Sequence, residues 1–288
     1  MSKLPDIWQS PAKINLFLHI TSKRADGYHN LQSIFQLLDF YDEIQINVRD
    51  DGLICRTSGN EDIDPEHDLL IKSAKALQQF SGCALGADIA IDKRIPAGAG
   101  LGGGSSNAAT VLIALNQLWN TGLSQQQLIE IGVNLGADVP FFIFARSAWV
   151  EGIGEQLSPI DPPQSPILLI YVNQHSSTQE IFSHKALTMS PMIGKISDFS
   201  ELSATRNDTQ QAAIDKISEI SDALNFLNTC SHRSDQARMS GTGSCVFAPF
   251  ESEKDALAAL DKMPSNWLGI QTSTMNTSPI YNWAVAKR

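Results

Sequence analysis

Residues 96–107 read Pro-Ala-Gly-Ala-Gly-Leu-Gly-Gly-Gly-Ser-Ser-Asn, with five glycines between Gly98 and Gly104. Each glycine loses extra backbone freedom on ordering, roughly 0.5–1 kcal/mol relative to alanine in regular structure. A stretch this rich in glycine is a liability unless the backbone must approach something closely. A good helix former follows it (Ala108, Ala109, Val111, Leu112, Ala114, Leu115), and a helix is expected from about Ser106 to Trp119 with Ser105 and Ser106 as caps. Such a helix aims free N–H groups and about half a positive charge at the loop. That is an anion site, and phosphate is its usual occupant. The rival reading, a flexible connector, gives the helix start no purpose.

Other phosphate loops fit less well. A Walker loop ends in Gly-Lys-Ser/Thr, whereas here Gly104 is followed by Ser105 with no lysine. Gly98-x-Gly100-x-x-Gly103 matches the dinucleotide fingerprint, which expects an acidic residue about 20 positions later to hold the ribose. Between Asp92 and Glu130 there is no Asp or Glu. A nicotinamide-dependent oxidoreductase is therefore disfavoured.

A net charge of −10 argues against non-specific nucleic-acid or anionic-membrane binding, though not against a nucleotide held by backbone N–H groups. No apolar run approaches the roughly 20 residues that cross a bilayer, and Met1 to Lys13 carries no signal- or transit-peptide pattern, so a cytoplasmic protein is expected. The four cysteines (Cys55, Cys83, Cys230, Cys245) form no Cys-x-x-Cys and read as reduced thiols. The six histidines lack metal-ligand spacing.

Ala12 to Ile20 alternates as a strand, with Ile14, Leu16, Leu18 and Ile20 on one side and Lys13, Asn15, Phe17 and His19 on the other. After the Asp26-Gly27 turn, Leu31–Leu38 reads as a second strand and Glu43–Val48 as a third. Asp50-Asp51-Gly52 then leads into Leu53–Arg56, completing a hairpin. Leu69–Phe80 has helical spacing, and Ala87–Asp92 is a short strand. A helix from Ser124, with Gln127 completing a capping box, ends at Gly136. Phe141–Ala145 and Ala148–Glu151 read as strands, and the Pro-rich stretch Ser158–Pro166 as a linker. Beyond it come a strand (Ile167–Val172), an amphipathic helix (Gln210–Leu227), a second glycine loop within Met239–Phe247 and a helix over Ser252–Lys262. Mixed helices and hairpin-joined strands predict a two-domain α+β protein, with domains at 1–157 and 158–288.

Pro96 to Thr110 resembles the central phosphate-binding motif of the GHMP kinases, with Pro96, Gly100, Leu101, Gly102, Ser105 and Ser106 matching it. Pro11 to Leu16 resembles that family's N-terminal strand, and Ser240-Gly241-Thr242-Gly243-Ser244 its C-terminal glycine loop. Arg24-Ala25-Asp26-Gly27-Tyr28-His29 and Leu135-Gly136-Ala137-Asp138-Val139-Pro140 narrow the likeness. They resemble the branch that phosphorylates a diphosphocytidyl-methylerythritol in the non-mevalonate isoprenoid route.

The resemblance implies an α+β fold of two domains, the first like domain 2 of ribosomal protein S5 and the second ferredoxin-like. It implies ATP as co-substrate, with Mg²⁺ carried on the phosphates, and a small cytidylyl substrate as the partner. Pro96, Ala97, Gly98, Ala99, Gly100, Leu101, Gly102, Gly103, Gly104, Ser105, Ser106 and Asn107 would hold ATP, either serine being a candidate metal ligand. Lys13 would lie beside the acceptor hydroxyl and Asp138 would be the general base. Asn15, Tyr28, His29, Thr178, Phe182, Gly241, Thr242 and Gly243 would hold substrate, with Tyr28 and Phe182 stacking on cytosine and His29 bonding its polar edge. On the residues alone, Lys13 also reads as a solvated strand lysine, Asp138 as a turn cap, and Phe182 as core. A homoserine- or mevalonate-type GHMP kinase is the alternative, and the Arg24–His29 hairpin discriminates against it. Monomer and weak dimer both remain open.

Overall fold

The computed structural model describes residues 4–59, 63–196, 198–231 and 237–286. Its spine is β2 (His29–Arg49), a 21-residue strand. Along one edge β2 pairs antiparallel with β1 (Trp8–Lys23). Along the other it meets β5 (Ala148–Glu151) at Ser33–Phe35, β10 (Leu268–Met275) at Leu37–Leu38, and β4 (Gly86–Asp92) at Glu43–Arg49. The two strands expected over Leu31–Leu38 and Glu43–Val48 are thus one. Asp39 to Asp42 contains no Gly, Pro or Asn to break the run, and its outer half stays paired through Pro11↔Tyr41 and Ser10↔Asp42.

The expected hairpin after Gly52 does not form. Gly52 makes the turn (φ +74°), but β3 (Ile54–Ser58) pairs in parallel with β4, which takes the edge of β2. The crossover between β3 and β4 is α1 (Leu69–Ser81), capped by Asp68, as a parallel pair requires a long connection. The sheet runs β3-β4-β2-β10-β7-β9-β8 through both halves, β6 (Gln156–Pro159) pairing with β5, and β7 (Pro166–Tyr171), β8 (Arg238–Met239) and β9 (Val246–Pro249) lying in the second.

Four helix assignments also change. The helix after the glycine loop, α2 (Gly103–Leu118), starts three residues early. Left-handed Gly102 occupies its cap and no side chain caps it, so Ser105 and Ser106 lie inside its first turn. Next, α3 (Gln125–Val133) keeps the Ser124–Gln127 capping box but stops at Asn134. The Phe141 segment is a helix, α4 (Val139–Phe144), not a strand. A short apolar run carries no decisive period, and Pro140 in the first turn marks a helix start. The helix expected over Gln210–Leu227 is two, α6 (Gln210–Lys216) and α7 (Glu219–Cys230), broken where Ile217 turns extended. They follow α5 (Thr178–Phe182). After them come α8 (Glu253–Leu260), capped by Ser252, and α9 (Tyr281–Ala284).

The first core packs α1 to α4 on β1, β2 and β4. Ile280 and Ala284 are also buried in it, and Trp283 meets Trp8 edge-on at 6.1 Å. A second core packs α6, α7 and α8 on β7 and β9. Between them, a third cluster joins Ala12 and Ile14 of β1 to Ile167, Leu169, Cys245 and Phe247, and it includes Ala99 and Leu101 of the glycine loop. The Pro-rich connection is pinned to the sheet: Asn276 donates to the Pro162 carbonyl at 2.9 Å and Ser165 exchanges bonds with Thr274. No helix among the described residues is long and apolar enough to cross a membrane.

Candidate active site

The glycine loop is built by alternation. Gly98, Gly100 and Gly102 take φ of +64°, +76° and +71°, while the intervening Ala99 and Leu101 plug into the central cluster and are buried. The plugs hold the loop and the left-handed glycines turn it. Each glycine also has a neighbour too close for a side chain. A Cβ on Gly100 would lie 2.1 Å from the Ser240 carbonyl oxygen, and one on Gly98 1.6 Å from Nδ1 of His175. Gly100→Ala is therefore expected to cost about 2–4 kcal/mol from the left-handed conformation and the clash together. A melting curve coinciding with wild type would remove that account of the loop.

The loop delivers the chain to α2 with its first N–H groups uncapped and no acidic residue in the first turn. That leaves the anion site open. Beneath it lies a polar network with no signature in the sequence. The Asp42 carboxylate, fully buried, accepts from Lys93 Nζ (2.6 Å), the N–H groups of Arg94 (2.7 Å) and Ile95 (2.8 Å), and Asn107 Nδ2 (2.8 Å). Asn107 Nδ2 also donates to Ser10, whose hydroxyl donates to Ser106. Ser106 and the Asn107 side chain are thus buried fasteners of the helix start. Ser105, in the first turn of α2, is the half-buried hydroxyl facing the loop; a Cβ on Gly136 would lie 3.6 Å from its Oγ.

The second glycine loop joins β8 to β9 and is tied to the first. Ser240 Oγ donates to the Gly100 carbonyl at 2.8 Å, and the Cys245 N–H donates to Ala99 at 3.1 Å. Gly241 and Gly243 have φ of +55° and +84°. Thr242 Oγ1 lies 3.1 Å from Thr178 Oγ1.

Lys13 stands between the loops. The clean alternation expected of β1 is interrupted, because pairing slips between Pro11 and Lys13 and again between Asn15 and Leu18. Ile14 therefore joins the central cluster, Leu18 the first core and Phe17 a small cluster with Trp149. Lys13, read from spacing alone as solvated, is only 3 % exposed. Its Nζ donates to Asn15 Oδ1 at 2.5 Å, sits 4.8 Å over the Phe35 ring and lies 3.6 Å from Asp138 Oδ2. Asn15 is oriented by its own donation to Ser33 at 3.1 Å. Burial pushes the Lys13 ammonium below its ordinary value, opposed by the charge of Asp138. Asp138 sits at the start of α4 but its side chain caps nothing, and that side chain is 30 % exposed. A partly solvated carboxylate beside a buried ammonium is equipped to take a proton from a hydroxyl.

The aromatic group is only partly assembled. His29 and Phe182 stack, with centroids 5.5 Å apart and planes at 25°. Burial holds the imidazole below its usual pKa. Thr178 and Phe182 share a face of α5 one turn apart. Tyr28 projects from the turn and is 61 % exposed, its N–H held by Asp26 at 3.1 Å. The structure thus gathers Lys13, Asn15, Asp138, both glycine loops and Thr178, and places His29 with Phe182. Sequence reasoning missed Asp42, Lys93, Ser33 and His175, because long-range partners of a buried polar group leave no local pattern.

Comparison with known proteins identifies the family. The description "GHMP kinases N terminal domain" matches residues 68–146, and "GHMP kinases C terminal" matches residues 192–268. The 4-diphosphocytidyl-2-C-methyl-D-erythritol kinase of Ruthia magnifica is 60% identical over 281 residues, covering 98% of this chain and 99% of its own. That of Alkalilimnicola ehrlichii is 49% identical over 262 residues, covering 91% and 88%. A crystal structure of 4-(cytidine 5'-diphospho)-2C-methyl-D-erythritol kinase superposes with a TM-score of 0.82 at 28% identity, covering 93% of this chain and 98% of that one. A mevalonate kinase shares the fold, with a TM-score of 0.68 at 15% identity over 94% and 99% of the two chains. This chain, an ATP-using small-molecule kinase, belongs to the GHMP family, among the 4-diphosphocytidyl-2-C-methyl-D-erythritol kinases.

Proposed function

We propose that the enzyme transfers the γ-phosphoryl group of ATP to the 2-hydroxyl of 4-diphosphocytidyl-2-C-methyl-D-erythritol, releasing ADP. The observation that carries this reading is the Lys13–Asp138 pair, 3.6 Å apart, set beside two interlocked glycine loops. Phosphoryl transfer needs mainly positioning and charge stabilisation, and these parts supply both. The acceptor oxygen forms a bond to the γ-phosphorus as the bond to the bridging oxygen of ADP breaks. The hydroxyl proton passes to an Asp138 carboxylate oxygen. The Lys13 ammonium favours the developing alkoxide, while Asn15 holds the ammonium in place.

The donor set fits a magnesium ion carried chiefly on the nucleotide's phosphates. Among the described residues no three His, Cys, Asp or Glu side chains gather as a metal site. Ser106 is engaged with Ser10, leaving Ser105 as the side chain that would reach such an ion. When bound, the ion neutralises phosphate charge.

The cytidylyl end falls to Tyr28, His29 and Phe182. A base entering against the exposed Tyr28 ring would meet His29 and Phe182 already stacked. Tyr28→Ala is expected to raise KM for the cytidylyl substrate about tenfold with little change in kcat. An unchanged KM would remove Tyr28 from the site. We place the domain boundary at 157/158, supported by the separate cores, with residues 276–284 returning to the first. Four free thiols among the described residues support a reducing, cytoplasmic setting.

The test is direct. Mg-ATP and the cytidylyl substrate are incubated with pure enzyme and followed by phosphorus NMR. A new phosphomonoester with matching ADP is expected. Transfer to homoserine or mevalonate instead would keep the family and overturn the acceptor.

A further inference from the structure

The second glycine loop needs something to fix its peptide planes, and segment 206–209 supplies it. Asn207 Nδ2 donates to the carbonyl oxygens of Gly241 (2.8 Å) and Met239 (2.9 Å). The single proton of the Thr209 hydroxyl lies between that Gly241 oxygen (3.0 Å) and Asn207 Oδ1 (2.7 Å). Asn207 Oδ1 in turn accepts from the Thr209 N–H at 2.9 Å, which fixes which way its amide points. Asn207 is 7 % exposed and Thr209 fully buried, so neither lies open to a ligand. The segment is itself anchored: Leu18 bridges Asn207, and Asp208 accepts from the Ile20 N–H at 2.8 Å. It therefore braces the loop against β1, the strand that carries Lys13.

Covalent geometry then dictates the consequence. The Gly241–Thr242 peptide is trans, so its N–H points opposite to its carbonyl. The Asn207 amide, with the Thr209 hydroxyl beside it, holds that carbonyl toward segment 207–209, so the Thr242 N–H is turned away from it. It meets no acceptor among the described residues. The neighbouring Gly241 backbone is at the site: a Cβ there would lie 3.5 Å from Lys13 Nζ and 3.2 Å from the Gly100 carbonyl oxygen.

We propose that Asn207, seconded by Thr209, is a positioning residue that aims the Thr242 N–H at the phosphoryl group in transfer. This rests on the phosphoryl-transfer reading above. A backbone donor so fixed acts where charge develops and needs no reorganisation during the reaction. Asn207 touches neither ATP nor acceptor; it acts through one peptide plane.

The test compares Asn207→Ala, Thr209→Val and Thr209→Ser with wild type, each normalised to nucleotide-binding stoichiometry. Asn207→Ala is expected to lower kcat about 30- to 300-fold and Thr209→Val about 5- to 10-fold, with KM for ATP within about threefold. Thr209→Ser, which keeps the hydroxyl, should restore most of the loss. A kcat per nucleotide-binding site within twofold of wild type in Thr209→Val would overturn the inference, even if Asn207→Ala fails to fold. So would a loss that vanishes once activity is divided by the folded fraction. Absence of transfer in wild type would instead strike the reading beneath it.

Discussion

Replacing Asp138 with asparagine is expected to lower kcat by about three orders of magnitude while leaving ATP affinity close to wild type. The two side chains have the same shape, so the acceptor still fits, but an amide takes up no proton. The fold should tolerate the change well, because Asp138 makes no capping bond to α4 and its side chain is 30 % exposed. ADP release and calorimetric titration with ATP separate the two effects. A kcat within tenfold of wild type would mean that the hydroxyl loses its proton by another route.

Lys13→Met should be nearly as damaging to turnover, about 100-fold or more in kcat, yet neutral or favourable for stability. The methionine fills the space of the lysine stem beside Phe35 and Phe142. What it removes is a buried charge. Burial holds the Lys13 pKa below its ordinary value of 10.5. Below the lowered folded value both folded and unfolded chains carry the proton, and the folded one carries it at a disadvantage. As pH rises from the lowered folded value toward 10.5, the unfolded chain binds more protons and stability rises from this group. The variant lacks that rise. Unfolding by denaturant at pH 7 and at alkaline pH checks the sign. A Lys13→Met protein markedly less stable at pH 7 would show that Asp138 and Asn15 outweigh the burial.

The sequence made the chemistry more legible than the architecture. A glycine loop running into a helix, a lysine on the first strand and an aspartate before Val139-Pro140 are local patterns, and the structure gathers them. The role of each glycine was partly visible too, although the helix start was misplaced because left-handed Gly102 outcompetes the serines for the cap. Misread elements were decided by distant partners. Continuity of β2 depends on β1 pairing past Tyr41, and the hairpin after Gly52 was lost to β4, more than 30 residues onward. Lys13 looked solvated because nothing near it in sequence reveals the Phe35 ring or Asp138. Asn207 left no mark at all, since its partners are two backbone carbonyls in another segment.

The burial of Ile280 and Ala284 in the first core, with Trp283 against Trp8, bears on biosynthesis. A nascent chain emerging in order cannot complete its leading half when that half has been made. Roughly ten seconds of further translation separate Val150 from Ala284, at about 5–20 residues per second. Through that interval Trp8 and the floor of the first core lack the apolar cover that residues 280–284 supply. Emergence of residues 280–284 is the event that closes the first core.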